Sequence, residues 1–378
     1  MTEEQYMLRA IELAKKGEGF TNPNPLVGAV IVKDGKIIGE GYHARYGELH
    51  AERNAIASLT QSAEGATIYV TLEPCCHYGK TPPCTEAIIE NKISRVVIGS
   101  RDPNPKVSGK GAKILRDAGI TVVEDFMREE CDKLNAVFFH YIQNKTPYVV
   151  SKFAMSADGK IATAGKESQW ISCESSRQLV QKMRAKYMGI MVGTGTVLAD
   201  NPTLNVRIEG ARNPVRIICD SSLRIPLDSN ICKTAGKYRT IIACAGIQPE
   251  IKEKQKALEE LGIQVISCGN KGKTDLIQLM KILGENGIDS ILLEGGGTLN
   301  YNAFESGIVK EVKIFVAPKI IGGKEALTPV EGAGIKSLKD ACMLELENCS
   351  KSGSDILLEY KVKDKGDRQT DSQYKNTR

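Results

Sequence analysis

The sequence predicts an α/β protein built from two consecutive domains. Its length of 378 residues matches two or three ordinary domains of roughly 100–200 residues. Amphipathic helical segments alternate with short apolar strands in both halves, which is typical of sheets covered by helices on both faces. A polar break at 144–147 separates the halves, and its proline disfavours helix at the preceding residue. We therefore predict domains over 1–145 and 146–364, followed by a tail over 365–378.

The first half opens with an amphipathic helix, because the apolar residues of 3–16 recur at the helical period. An Asp34-Gly35 pair between two apolar runs is a hairpin signal. Strands are predicted over 26–32, 36–42, 66–72, 95–99 and 120–123, and helices over 3–16, 51–59, 86–91, 111–118 and 127–143.

The second half repeats the alternation. Strands are predicted over 148–155, 190–192, 215–219, 240–244, 290–293, 312–317 and 356–362, and helices over 174–185, 250–261 and 275–283. The tail over 365–378 has almost no apolar residues, which predicts disorder.

Composition narrows the class of protein. Hydrophobic residues make up 41% and charged residues 26%, as in soluble globular proteins. No apolar run approaches the roughly 18 residues of a membrane span, and the acidic, amphipathic N-terminus does not resemble a signal peptide, so a cytoplasmic location is expected. The odd number of cysteines, 11, favours reduced thiols. The net charge is +5, and the segment 361–378, with six Lys or Arg against three Asp, carries +3 of it. The nearly neutral remainder does not support a nucleic-acid patch.

Two short motifs in the first half indicate a metal site. One is His50-Ala-Glu52, and the other is Pro74-Cys75 followed by Cys84. Zinc accepts one imidazole and two thiolates and leaves a fourth position for a water, whose pKa it lowers. Glu52 lies two residues beyond His50 and can move protons without binding the metal.

Each motif alone has an ordinary explanation. An isolated His-x-Glu is usually helix surface, and a cysteine pair in a reduced protein is usually two buried thiols; only the conjunction is specific. We predict one zinc per chain, held by His50, Cys75 and Cys84. Cys76 and His77 are also close enough in the sequence to be mistaken for ligands. Cys84 is preferred to Cys76 because adjacent residues rarely bind one tetrahedral metal with good geometry.

A glycine cluster in the second half follows an apolar strand, in the segment 294–298. Glycines let backbone N–H groups approach a phosphate at a helix N-terminus, although a tight turn explains the cluster equally well. The segment is not G-x-G-x-x-G, so a Rossmann assignment has no support.

The metal motifs resemble the zinc nucleobase-deaminase superfamily, whose signature is H-x-E followed by P-C-x-x-C. Eight residues stand here where that signature has two, which disfavours a general nucleic-acid or cytidine deaminase. The fuller set of motifs resembles one family, the bifunctional riboflavin-biosynthesis deaminase–reductases, over the whole chain except the tail. The matching segments are 21–28, 41–43, 50–52, 73–84, 152–159, 193–196, 200–204 and 294–297.

This resemblance implies a cytidine-deaminase-like α/β/α N-terminal domain and a dihydrofolate-reductase-like α/β C-terminal domain. It further implies deamination of 2,5-diamino-6-ribosylamino-4(3H)-pyrimidinone 5′-phosphate, then reduction of its ribosyl group to ribityl with NADPH. A small phosphorylated pyrimidine is therefore the expected partner, without nucleic acid or membrane, and a homo-oligomer is left open.

The resemblance also assigns residues. Glu52 is the implied proton carrier, and the implied deaminase substrate contacts are Asn24, His43, His77, Lys80, Asp102 and Asn104. The implied NADPH contacts are Ala154, Trp170, Thr196, Asp200, Ser222, Gly296, Gly297 and Thr298, and the implied reductase substrate contacts are Lys152, Ser168, Arg184, Leu204, Arg207 and Glu294. Without the resemblance, 102–105 reads as a turn and Trp170 as a packing residue.

Two other functions compete with this one. The first is a single-function nucleoside or tRNA-base deaminase fused to a degenerate reductase-like module. The second is a nucleic-acid-binding protein with a structural zinc. The motif spacing and the nearly neutral body argue against both, and the Glu52 carboxylate has no role in a structural zinc site.

Overall fold

The chain forms two compact units, one over Met1–Lys145 and one that begins at Thr146. The computed structural model describes residues 1–79, 82–104, 107–246, 249–270 and 272–363, so the predicted tail over 365–378 lies outside the described residues. Both units are helices packed on a sheet, and the predicted α/β class is confirmed. Within the described residues, no helix is long and apolar enough to cross a membrane.

The first unit contains a five-stranded mixed sheet in the order β2-β1-β3-β4-β5. Its strands are β1 Gly28–Lys33, β2 Lys36–Tyr42, β3 Thr67–Leu72, β4 Arg95–Ser100 and β5 Thr121–Val123, and its helices are α1 Glu3–Lys15, α2 Ala51–Ala57, α3 Cys84–Glu90, α4 Lys110–Asp117, α5 Arg128–Leu134 and α6 Ala136–Asn144. β1 runs antiparallel to β2 and β3, whereas β3, β4 and β5 are parallel.

Strand β1 shows how the unit becomes three layers. Successive side chains of a strand point to opposite faces of a sheet. Ala29 and Ile31 accordingly pack in a core that includes residues of α2, α3 and α4, and Val30 and Val32 pack with residues of α1. Because β1 and β3 are buried on both faces, they read as continuous apolar runs.

The prediction of one long helix over 127–143 was wrong. The structure breaks it into α5 and α6 at Asn135, whose backbone has φ −117° and ψ 22°. The buried side chain of Asn135 binds the backbone of Leu26: its Oδ1 accepts from Leu26 N at 2.8 Å, and its Nδ2 donates to Leu26 O at 2.9 Å. A tertiary contact thus interrupts an otherwise helical pattern.

The second unit contains a nine-stranded sheet in the order β10-β9-β8-β7-β13-β6-β14-β16-β15. The strands of the second unit are β6 Tyr148–Ser156, β7 Gly189–Gly193, β8 Val215–Cys219, β9 Thr240–Cys244, β10 Gln264–Ser267, β11 Gly269–Asn270, β12 Lys273–Thr274, β13 Ser290–Leu293, β14 Val309–Ala317, β15 Leu344–Ser352 and β16 Asp355–Val362. Its helices are α7 Glu174–Lys186, α8 Thr194–Asp200, α9 Asn230–Lys233, α10 Lys252–Glu260, α11 Leu276–Glu285 and α12 Gly297–Glu305. β11 and β12 form a separate small hairpin.

Helices cover both faces of the parallel part of this sheet. Residues of α11 and α12 pack on one face, against Ile217 and Ile291, and residues of α8, α9 and α10 pack on the other, against Ile218 and Ile190. Sequence patterns missed β15, because most of its side chains are exposed at the edge of the sheet. They also missed β10 and the helices α8, α9 and α12, which are short or weakly patterned.

Candidate functional site

A cluster of metal-ligand atoms lies at one end of the first sheet. The imidazole of His50 and the sulfurs of Cys75 and Cys84 are all within 4.8 Å of one another. His50 Nδ1 lies 3.4 Å from Cys75 Sγ and 3.5 Å from Cys84 Sγ. One nitrogen and two sulfurs form a donor set that fits zinc and leaves a fourth position for a small molecule.

Three element boundaries bring these ligands together. His50 is the N-cap of α2, Cys75 lies three residues beyond the end of β3, and Cys84 is the first residue of α3. The backbone N–H of Cys84 donates to Cys75 Sγ at 3.3 Å. Hydrogen bonds from the Cys84 thiol and His50 lower the pKa of the Cys75 thiol, which favours the thiolate that binds metal.

Glu52 lies in the first turn of α2 and is 3% exposed. Burial raises the pKa of its carboxyl group, and the negative charge of Cys75 adds to the effect. A carboxyl group whose pKa is raised toward neutrality exchanges protons more readily near pH 7 than an ordinary one.

His43 and Asn24 form a fixed pair beside the cluster. His43 is 2% exposed, and burial lowers its pKa. Its Nδ1 lies 3.1 Å from Leu49 O, and its Nε2 lies 3.3 Å from Asn24 Nδ2. A carbonyl only accepts, so Nδ1 carries the proton, and Nε2 accepts from the Asn24 amide. The lowered pKa favours the neutral imidazole, and the two contacts favour the tautomer protonated at Nδ1.

The predicted deaminase residues surround one cavity of about 260 Å³. Asn24, His43, His50, Glu52, Cys75, His77, Asp102 and Asn104 line it, whereas Lys80 lies outside the described residues. Asp102 makes a tight turn, because its Oδ1 accepts from Asn104 N at 2.8 Å, and burial raises its pKa to about 6. The segment 102–104 therefore forms both a turn and part of the cavity wall.

Sequence reasoning missed Glu73, which also lines this cavity and is 4% exposed. Its carboxylate accepts from Gly109 N at 3.0 Å and from Ala112 N at 3.2 Å, and so satisfies the free N–H groups at the start of α4. The signal available in the sequence was an acidic residue directly before the Pro74-Cys75 motif.

A second cavity, of about 410 Å³, lies in the second unit. At its wall Glu294 accepts from Lys152 Nζ at 2.8 Å, and from Arg184 Nε at 2.7 Å and Nη2 at 3.0 Å. The Lys152 and Glu294 side chains meet because β13 pairs with β6 and each residue directly follows the last pair of that register. The three side chains are only 10–17% exposed.

Ten of the predicted reductase residues line this cavity: Lys152, Ala154, Ser168, Trp170, Arg184, Thr196, Asp200, Leu204, Arg207 and Glu294. Ser168 Oγ donates to Asp200 Oδ1 at 3.2 Å. Trp170 is 59% exposed, so it is not a core packing residue, and the Arg177 guanidinium lies 4.7 Å from its ring centroid. Ser222, Gly296, Gly297 and Thr298 do not line the cavity.

The glycines at 296 and 297 differ in how closely other residues pack against them. A Cβ on Gly297 would lie 2.4 Å from Glu331 Cγ and 2.7 Å from Thr328 O, so packing against that loop requires glycine. A Cβ on Gly296 would meet only Thr196 Oγ1, at 3.7 Å, which is ordinary contact. Packing therefore leaves the choice of glycine at 296 unexplained.

Comparison with known families covers both units. The model of the cytidine and deoxycytidylate deaminase zinc-binding region matches residues 1–100, and that of the RibD C-terminal domain matches residues 147–358. Riboflavin biosynthesis protein RibD of Actinobacillus pleuropneumoniae is 54% identical over 96% of this chain and 96% of its own length. The chain belongs to the RibD family.

Other RibD proteins extend this result. RibD of Escherichia coli strain K12 is 39% identical over 95% of this chain and 99% of its own. The crystal structure of a diaminohydroxyphosphoribosylaminopyrimidine deaminase/5-amino-6-(5-phosphoribosylamino)uracil reductase from Thermotoga maritima is 38% identical and superposes with a TM-score of 0.84, covering 95% of this chain and 98% of that one.

Membership in the RibD family decides between the functions that the sequence left open. The chain is a bifunctional deaminase and reductase of riboflavin biosynthesis. A single-function deaminase with a degenerate second module is not favoured, because the RibD C-terminal domain matches nearly all of the second unit's described sequence. The donor set and the deaminase zinc-binding region agree on zinc as the metal class.

Proposed function

We propose that residues 1–145 deaminate 2,5-diamino-6-ribosylamino-4(3H)-pyrimidinone 5′-phosphate and that the second domain, over 146–364, then reduces its ribosyl group with NADPH. The observation that carries the first step is that the buried Glu52 carboxyl group lines one cavity with His50 and Cys75, the two residues that cluster with Cys84. The test is to give the full chain this substrate together with NADPH. The expected result is release of ammonia, followed by oxidation of NADPH. Ammonia release without any NADPH oxidation would contradict the assignment of the second domain.

The residues of the first cavity have different roles in deamination. When bound, zinc lowers the pKa of a coordinated water toward neutrality. Glu52 carries two protons in turn: one goes from the attacking water to the ring nitrogen as the bond from C2 to oxygen forms, and one goes from the resulting C2 hydroxyl to the amino group, which leaves as ammonia when its bond to C2 breaks. Neutral His43 and Asn24, held by their mutual hydrogen bond, orient the pyrimidine. Asp102 and Asn104 line the same cavity and would also contact the substrate.

The residues of the second cavity serve a different reaction. NADPH, when bound, supplies a hydride. Opening a ribosyl ring to ribityl also requires a proton on the ring oxygen, and Lys152 Nζ is a buried N–H donor in this cavity. Glu294 orients Lys152 and Arg184 at 2.7–3.0 Å. We assign the substrate phosphate to Arg207, whose guanidinium donates to phosphate oxygens, and to Ser168, whose hydroxyl would turn from Asp200 to the phosphate.

The ligand assignment predicts a difference between two neighbouring cysteine variants. Cys84→Ser should lose most of the zinc, because a buried thiolate ligand is removed. Cys76→Ser should keep it, because Cys76 is not in the ligand cluster found among the described residues. Metal analysis of the purified full-length variants measures this. Zinc retained in Cys84→Ser but lost in Cys76→Ser would overturn the assignment.

The cofactor preference predicts a role for Arg224. Ser222 and Arg224 are both exposed in the turn that follows β8, where a hydroxyl and a guanidinium suit the 2′-phosphate that distinguishes NADPH from NADH. Arg224→Ala should weaken NADPH binding by about 1.5–3 kcal/mol, as for a hydrogen bond to a charged group, and leave NADH binding unchanged.

The dissociation constants of both cofactors measure this effect. Arg239→Ala is the matched control, because Arg239 is exposed and precedes β9, at the opposite end of the parallel part of the same sheet. This variant should bind both cofactors like the unmodified protein. Equal losses for NADPH and NADH in Arg224→Ala would mean that Arg224 supports the turn and does not recognise the 2′-phosphate.

A further inference from the structure

The two cysteine ligands of the proposed zinc site are separated by an unusually long segment, 76–83. In a P-C-x-x-C arrangement, the short spacing itself holds the second cysteine near the first. Here the chain leaves the cluster after Cys75 and must return to it at Cys84. Some other contact has to fix the point of return.

We propose that Arg53 is this contact: it positions Cys84 and thereby sets the affinity of the site for zinc. Arg53 follows Glu52 on α2, and its guanidinium reaches across to the end of the long segment. Its Nε donates to Pro82 O at 3.1 Å, and its Nη2 donates to Pro83 O at 2.8 Å. This inference rests on the proposed zinc site.

The Arg53 guanidinium and the two proline carbonyls are chemically suited to hold this part of the chain in place, and we call their contact the clamp. A guanidinium is a planar fork of fixed geometry, so two of its N–H groups can bind two successive carbonyls at once. The carbonyls belong to two prolines, whose rings fix φ. Pro83 is the N-cap of α3, with φ −55° and ψ 141°. Holding its carbonyl therefore fixes where α3 begins and where the side chain of Cys84 points.

The contacts beyond Pro83 show what depends on this position. Cys84 N donates to Cys75 Sγ at 3.3 Å, and Thr85 donates to Cys75 O from its backbone N at 3.2 Å and from its Oγ1 at 3.4 Å. The first turn of α3 is thus joined directly to the other cysteine ligand. If the carbonyls of Pro82 and Pro83 were released, the geometry of both sulfurs would loosen together.

Arg53 also links the position of Cys84 to that of His50, the third ligand. His50 is the N-cap of α2, and Arg53 lies three residues later, in the first turn. Within the described parts of the chain, no carboxylate forms an ion pair with Arg53, and its Nε and Nη2 bind the two carbonyls. One short stretch of α2 supplies a metal ligand, the proton carrier Glu52, and the clamp on another ligand.

The test is the zinc dissociation constant of the full chain, measured by competition with a chromogenic chelator. Arg53→Met keeps the aliphatic stem and loses every N–H donor. Residues that support metal ligands typically change metal affinity by about 10–100-fold, and we expect a weakening in that range. Arg53→Lys offers a compact ammonium in place of the fork, and it should fall between Met and wild type.

Arg116→Met is the matched control. Arg116 is an exposed residue near the end of α4 whose ion-pair partner is Glu124, so the same substitution there should leave zinc affinity unchanged. Zinc affinity within about twofold of wild type in Arg53→Met would overturn the proposal. If Arg53→Met does not fold, Arg53→Lys decides: several-fold weaker zinc binding supports the clamp, and wild-type affinity overturns it.

Cys84→Ser separates this proposal from the ligand assignment on which it rests. Loss of zinc in Cys84→Ser, together with unchanged affinity in Arg53→Met, would remove only the role of Arg53. Retention of zinc in Cys84→Ser would remove the ligand assignment and the clamp with it. NADPH binding, which belongs to the second unit, should stay unchanged in every variant.

Discussion

Replacing Glu52 by glutamine is expected to lower the rate of deamination by about 10²–10⁴-fold, the usual contribution of a general acid–base group. Glutamine keeps the size of the side chain but cannot take up and return a proton. Glu52 is not a member of the ligand cluster, so the variant should retain its zinc. Ammonia release in a steady-state assay measures the first effect, and metal analysis measures the second.

Two comparisons make this result specific. Glu64→Gln is the same chemical change on an exposed side chain that pairs with Lys92, and it should deaminate at the normal rate. NADPH-dependent reduction of the deaminated substrate should also be normal in Glu52→Gln, because that reaction belongs to the other unit. Near-normal ammonia release by Glu52→Gln would eliminate the proposed proton transfers.

The sequence was most informative where function depends on residues close together in the chain. His50 and Glu52 are two residues apart, and the structure places both at the start of α2. The choice between Cys76 and Cys84 rested on a geometric rule about adjacent ligands, and Cys84 is the one in the ligand cluster. Alternation of apolar segments predicted the α/β class because it is a local property of each element.

Patterns in the sequence were uninformative where the structure joins distant segments. Glu294 is 142 residues from Lys152 and 110 from Arg184, and no spacing reveals that the three side chains meet. The break at Asn135 depends on Leu26, 109 residues away. Nothing in the sequence around Arg53 indicates that the carbonyls of Pro82 and Pro83 accept from it. In each case the deciding interaction is tertiary.

Replacing Glu294 by glutamine is expected to have the largest effect in the second unit. The side chains of Glu294, Lys152 and Arg184 are 10–17% exposed, and the variant would leave two buried cations facing each other. Breaking a buried ion pair on one side costs about 3–5 kcal/mol, so the free energy of unfolding of this unit should fall by that amount. NADPH-dependent reduction should fall with it, because Lys152 and Arg184 lose their common anchor.

The loss of stability in Glu294→Gln should depend on pH in a characteristic way. Burial alone would raise the pKa of Glu294, but the charges of Arg184 and Lys152 outweigh it and hold the pKa below its usual value. A carboxylate with a lowered pKa stabilises the fold above its unfolded pKa of about 4.3 and loses that contribution as the pH falls toward the folded value. The difference in stability between wild type and Glu294→Gln should therefore be constant near neutral pH and shrink below about pH 4.3.

Trp170, the single tryptophan of the chain, lies in the second unit, so its fluorescence during urea unfolding reports on this unit alone. Glu260→Gln removes one partner of the exposed ion pair with Lys256 on α10, and a surface pair of this kind contributes only about 0.3–0.5 kcal/mol. A double variant, Glu294→Gln with Lys152→Met, removes one of the two stranded cations and should recover part of the lost stability but none of the reduction. An equal loss of stability in the single and double variants would show that cation repulsion is not the cause.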